Sequence, residues 1–211
     1  MRVRVPYLPK KSIEGDAENL LSEYEREKGV RLELPIPIDD IVEKYLKLGI
    51  EFDDTHKRFG LPRSEDYSDP DILGAIYFDE RRIVIDESLD PHERPEFEGR
   101  YRFTLAHEGG GHWRLHRDLF RRDSNQGRLF GEPDEPSVIC RTNQKRASEE
   151  WQADFYASCL LMPNQLVRDA WQDHFGNSNR RSLRNAMPQG SGIGGEPDAE
   201  LVRAMNEAGG G

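Results

Sequence analysis

The chain reads as a domain that mixes helices with a few strands, and three observations carry that reading. An apolar stripe of Ile13, Ala17, Leu20, Leu21 and Tyr24 recurs at helical spacing and stops at Gly29. Two β-rich runs, "ILGAIYF" (72–78) and "RIVID" (82–86), flank the turn residues Asp79-Glu80-Arg81, the pattern of an antiparallel hairpin. Two further helical runs follow, one opening near Gly99 or Arg100 and one spanning 147–161.

The segments between these elements read as connections or shorter elements. "LPIPIDD" breaks the chain with two prolines. Asp40 and Glu43 then have capping-box spacing for a short helix carrying Val42, Tyr45 and Leu46, closed by Gly49. "IEFDD" (50–54) predicts a strand, the polar stretch with Pro62 and Pro70 a loop, and "DPHERP" (90–95) an irregular entry to the next helix. Residues 117–146 are rich in charge, Gly and Pro, which predicts one long loop of the kind that usually carries function. Pro163 suits the start of a helix running through Trp171. From Asn177 onward, "MPQGSGIGGEP" and the final "GGG" predict a flexible tail with one short helix near 197–207. The expected division is a domain over 1–176 and a Gly-rich tail over 177–211.

Bulk properties narrow the function classes. Hydrophobic residues make up 35% and charged residues 33% of 211, enough for one modest core within a polar shell. A formal charge of −10 argues against direct binding to nucleic acid through a phosphate-neutralising surface, and leaves a basic protein partner open. Two cysteines, Cys140 and Cys159, make neither a disulfide framework nor a zinc knuckle, and Cys159 sits in an apolar helical run as a small core residue. "MRVRVPYLPKK" has no apolar signal region, and no run approaches eighteen apolar residues, so the expected location is cytoplasmic, away from membranes.

The chemistry concentrates in "TLAHEGGGHWRLH" (104–116). Its run His107-Glu108-Gly109-Gly110-Gly111-His112 resembles the H-E-x-x-H zinc helix with one residue inserted. In a regular helix, partners five apart diverge by about 140°, too far to grip one ion. A π-bulge restores the shared face. Three glycines, each costing about 1 kcal/mol in a regular helix, suit a backbone that must deform. The metal reading needs a downstream acid, and "ASEEWQADFYASCLLMP" supplies Glu150 with Asp154 four residues on. In this reading Glu150 binds the metal. Asp154 accepts the outer N–H of a ligand histidine, and Glu108 is the general base that activates water. Glu149 adjoins Glu150, and spacing alone does not choose between them. His112 and His116, themselves four apart, form a rival pair with no glutamate between them, which favours His116 as a packing residue or a support for a ligand.

Together, "RYRFTLAHEGGGHWRLH" and "EEWQADFYASCLLMP" resemble the paired blocks of the ImmA/IrrE family of metallopeptidases, over about residues 12–172. The resemblance implies an α+β, zincin-like fold with a small twisted sheet beside the active-site helix. It implies His107 and His112 as zinc ligands and Glu108 as catalytic acid/base. The third ligand, the first glutamate of the E-x-x-A-[ND]-x-[FY]-A-x-x-L-L-M-P block, falls on Glu150. Family members generally cleave one regulatory protein, often a helix-turn-helix repressor or antitoxin, so the implied partner is a protein substrate of that kind. Most members space their histidines by four; the H-E-x-x-x-H spacing here is similar to that of the third type of dipeptidyl peptidases. Asp154 stands where many members have Asn, and both accept a hydrogen bond. The contrasting expectation is a non-catalytic regulatory or toxin–antitoxin interaction module that keeps the fold.

Overall fold

A computed structural model of the chain describes residues 5–60, 72–124, 136–141 and 148–176. It divides into two compact units, the larger running to Val30 and over Pro37–Leu161, the smaller comprising Arg31–Ile36 and the chain from Met162. The architecture is α+β, with a four-stranded mixed sheet among the described residues.

The larger unit opens with α1 (Lys10–Lys28), whose apolar stripe of Ile13, Ala17, Leu20, Leu21 and Tyr24 is buried as predicted. It ends at Gly29, where φ is 65° and the N–H bonds to the Glu25 carbonyl, a left-handed cap that costs a residue without Cβ nothing. Next, α2 (Ile38–Asp40) runs into a π-helical turn (Ile41–Tyr45), in which the Leu46 N–H reaches the Ile41 carbonyl at 2.9 Å. The predicted capping box does not form. Pro37 holds the cap position, and Asp40 pairs instead with Lys44 at 2.6 Å, one helical turn on. Nor does Gly49 close this helix: Lys47 takes the left-handed position at φ 59°, and Gly49 opens the first strand.

The sheet consists of β1 (Gly49–Asp53), β2 (Ile72–Tyr77), β3 (Arg82–Asp86) and β4 (Val138–Arg141), in the order β1-β3-β2-β4. The predicted hairpin is β2–β3, antiparallel with Gly74 opposite Ile85 and Tyr77 opposite Arg82. On its flanks, β1 pairs parallel with β3 and β4 antiparallel with β2. Strands covered on both faces read as continuous apolar runs, which is why β2 and β3 lack a strict alternation. On one face Ala75, Tyr77 and Val84 pack with Phe59 and Ile139. The short α3 (Thr55–Arg58) is tied to the end of β3, because Asp86 Oδ2 lies 2.6 Å from the Thr55 hydroxyl and 3.3 Å from its N–H.

Against the hairpin lies a continuous helical rod: α4 (Glu98–Leu105), a π-helix (Ala106–His116) and α5 (Arg117–Ser124). The expected loop over 117–146 is therefore corrected at both ends, since α5 extends the rod and β4 completes the sheet. Charge masks α5, where Leu119 and Phe120 are the apolar residues, yet Phe120 packs on Phe78 with ring centroids 5.8 Å apart; Val138–Arg141 is too short a run to mark a strand by itself, and β4 gains its order from pairing with β2. The π-helix touches β2 and, more extensively, α6 (Ser148–Leu161), while α1 also packs on α6. Arg114 fastens the π-helix to α1, with Nε 3.0 Å from Asp16 and Nη1 3.1 Å from Glu23. Within the smaller unit, α7 (Asn164–Phe175) follows Pro163 as predicted, runs past Trp171 and ends at Gly176 with φ 66°. The predicted loop at Pro62 and Pro70 and the predicted tail over 177–211 lie outside the described residues. No described helix is long and apolar enough to cross a membrane.

The three glycines of the π-helix owe their identity to contact. None has a positive φ. A Cβ on Gly109 would stand 2.7 Å from Val42 Cγ2, one on Gly110 2.9 Å from Leu160 Cδ2, and one on Gly111 2.6 Å from Ala153 Cα. Backbone cannot swing aside as the ends of leucine and tyrosine side chains can. Gly111→Ala is therefore expected to cost roughly 1–3 kcal/mol of stability, the scale of an overpacked core. Gly110→Ala should cost less, because the side chains can yield and alanine regains about 1 kcal/mol of helix propensity. Thermal unfolding ranks the two; equal losses would return the glycines to a role in backbone deformation alone.

Candidate metal centre

Hydrogen bonding from residue i to i+5 brings His107 and His112 to one face of the rod, although they are five residues apart. The departure from regular helix is larger than the single bulge expected from the sequence: it spans Ala106–His116, and the Arg117 N–H still bonds to the His112 carbonyl. The His107 and His112 Nε2 atoms lie 3.0 Å apart. Glu150, in the first turn of α6, reaches them with Oε2 3.3 Å from His107 Nε2 and Oε1 3.5 Å from His112 Nε2. All three predicted ligands thus converge, and they form a group able to hold a metal ion. Glu150, rather than its neighbour Glu149, takes the third position.

The supporting residues also fall into place. Asp154 Oδ1 is 3.0 Å from His107 Nδ1, so the carboxylate holds the proton on that nitrogen and leaves Nε2 with its lone pair toward the cluster. His116 is fully buried behind His112, with the two Nδ1 atoms 3.0 Å apart, and among the described residues no acid joins this alternative pair to complete a ligand set. Gln152 has no counterpart in the expectations from sequence. Its Oε1 lies 3.0 Å from His116 Nε2, and its Nε2 donates to the Pro6 carbonyl at 2.9 Å. A signal was present: Gln152 is a polar residue on the stripe of α6 that also buries Ala153, Tyr156, Ala157 and Leu160.

Electrostatics put the donors in the state that binds a cation. Burial drives the His112 imidazole down to a pKa of about 4, against the opposing pull of Glu150, so the ring is neutral near pH 7. Burial resists ionisation of Glu150, yet the neighbouring His107 and His112 outweigh it and hold that carboxyl below its ordinary range. Both histidines are almost wholly shielded, whereas the Glu150 side chain is 16% exposed.

Glu108 stands apart. It is 0% exposed, and among the described residues neither carboxyl oxygen has a hydrogen-bond partner. Burial, foremost, raises its pKa to about 8; the charge of Glu150 adds to the rise and His107 opposes it. A buried acceptor left without a donor costs about 1–3 kcal/mol. Gly74 on β2 makes room for it, since a Cβ there would lie 3.4 Å from Glu108 Oε1 and 2.9 Å from Thr104 Cγ2.

No family model matches the chain, and no curated protein matches it.

A second group, Asp54, His56 and Asp86, is also compact enough to hold an ion. Its acids are already engaged: Asp54 accepts the Lys57 N–H at 3.0 Å as the cap of α3, and Asp86 accepts from Thr55 and from the Ser88 N–H at 3.1 Å. These bonds close the junction between β1, β3 and α3.

Removing a donor from the first cluster should be read directly in metal content. His112→Ala and Glu150→Ala are expected to leave less than one ion per chain, while Glu149→Ala retains the full complement. Asp154→Ala, which removes only the support of His107, should weaken binding about 10–100-fold. Elemental analysis after dialysis, with chelator competition for the affinities, measures all four.

Proposed function

We propose that the chain is a zinc-dependent endopeptidase with a zincin-like fold, acting on a specific cytoplasmic regulatory protein. The observation that carries this reading is the convergence of His107, His112 and Glu150 beside a buried, unpartnered Glu108. Two imidazoles and one carboxylate are the donor set of hydrolytic zinc sites, with a fourth position left for water. With bonds near 2.0–2.2 Å, tetrahedral donors stand about 3.3 Å apart. The separations of 3.0, 3.3 and 3.5 Å are of that size. Zinc bound there supplies Lewis acidity, lowering the pKa of a water molecule toward 7 and polarising a peptide carbonyl.

The chain's own residues would do the rest. Glu108 takes a proton onto a carboxyl oxygen from the attacking water and passes it to the departing amide nitrogen. A cation held by the cluster would oppose the rise that burial causes, keeping the carboxylate ionised to take that proton. Asp154 keeps His107 in the tautomer whose Nε2 faces the ion. The negative charge of the chain favours approach by a basic partner such as a helix-turn-helix repressor or antitoxin, the substrate class that the resemblance to the ImmA/IrrE family implies.

A second reading, a non-catalytic interaction module, draws on the complete burial of Glu108. Activity separates the two. Zinc-loaded wild type incubated with a proteome-derived peptide library should yield new termini. Glu108→Gln should keep its zinc and cut about 10²–10⁴-fold more slowly. Zinc at full occupancy with identical peptide profiles for both proteins would leave only the interaction module.

A further inference from the structure

We propose that His116 and Gln152 are positioning residues, forming with the Pro6 carbonyl a directional hydrogen-bond relay that fixes the tautomer of His112. This rests on reading His107, His112 and Glu150 as metal ligands.

The direction follows from donor and acceptor chemistry. A proline residue offers the main chain only a carbonyl, so the group 2.9 Å from the Pro6 oxygen must be the amide nitrogen of Gln152. The other end of that amide, Oε1, is an acceptor and faces His116 Nε2 at 3.0 Å, so the proton of His116 sits on Nε2. His116 Nδ1 is then a bare acceptor. Opposite it, at 3.0 Å, is His112 Nδ1, which must carry its own ring's proton. That leaves His112 Nε2 unprotonated, on the side where His107 Nε2 and Glu150 lie. A charged His116 is incompatible with this arrangement, because its second N–H would oppose the N–H of His112.

The two ligand histidines are thus supported in different ways. His107 leans on the charged carboxylate of Asp154, which is 27% exposed, whereas His112 leans on a neutral ring and an amide, both fully buried. A carboxylate behind His112 would bring a further negative charge into the interior, where its desolvation is costly. The neutral relay orients the ring without that cost, and it ends on the segment ahead of α1, far from the cluster in sequence.

Two measurements test the relay. Nitrogen-15 NMR of the imidazoles in the metal-free protein should show His112 protonated on Nδ1 and His116 on Nε2; a proton on His116 Nδ1 would overturn the proposal. For the variants, zinc affinity by chelator competition should fall about 10–100-fold in His116→Phe, the range for losing a support behind a ligand. It should recover to within about threefold of wild type in His116→Gln, whose amide can accept from His112 and donate to Gln152. Equal affinities for wild type and His116→Phe, or a His116→Gln no better than the phenylalanine, would also overturn it. If wild type itself bound no zinc, the metal reading would fail, and the tautomers of the metal-free protein would still decide the relay.

Discussion

The site depends on how closely the π-helix approaches α6. A Cβ at position 111 would stand 2.6 Å from Ala153 Cα and 3.0 Å from the Ala153 carbonyl oxygen, so the two backbones are nearly in contact there. His112 follows Gly111, Glu150 lies three residues before Ala153, and Asp154 comes directly after it. A crossing this tight sets the reach of every side chain around it. Glu150 meets both Nε2 atoms across this crossing, where position 111 carries no side chain.

The inserted residue and the glycines then become one device. A wider helical turn is needed to bring histidines five apart onto one face. A bare helix surface is needed to let α6 come near. Gly109 turns toward Val42 and Ile83, on the sheet side, while Gly110 and Gly111 turn toward α6. The same short run thus seats the rod on the sheet and admits its partner helix. Arg114, bound to Asp16 and Glu23 of α1, fastens the rod from a third direction, and Tyr156 joins by donating to Asp16 at 2.9 Å. Rigid support on several sides suits a cluster whose donors must stay aligned.

Polar burial around the cluster follows a consistent logic. His107, His112, His116 and Gln152 are nearly or fully inaccessible, and each has a partner within hydrogen-bond range. Among the described residues Glu108 has none. An unsatisfied buried carboxyl beside an otherwise satisfied network is a local cost to the fold. The Asp54–His56–Asp86 group makes the contrast: it has similar residue types, but its acids are taken up in capping and strand-end bonds.

By itself, the sequence determined the elements whose signals are local. The stripe of α1, the hairpin pattern of β2 and β3, the span of α6 and the proline ahead of α7 all rest on periodicity or on turn and breaker residues. The grouping of His107, His112 and Glu150 was legible because metal chemistry limits which side chains could serve and helix geometry limits their spacing. Tertiary structure decided what depends on distant chain. It made β4 a strand by pairing it with β2, and it carried the rod on through α5. Asp40 was drawn to Lys44 rather than to a cap, and the π-helix extended well beyond one inserted residue. Only tertiary structure could place Gln152 between His116 and the Pro6 carbonyl, 146 residues away along the chain, because such a contact leaves no trace in local spacing. The glycines belong to both accounts: their unsuitability for a regular helix was visible in the sequence, but the atoms that require them come from Val42, Ala153, Tyr156 and Leu160, brought near by folding.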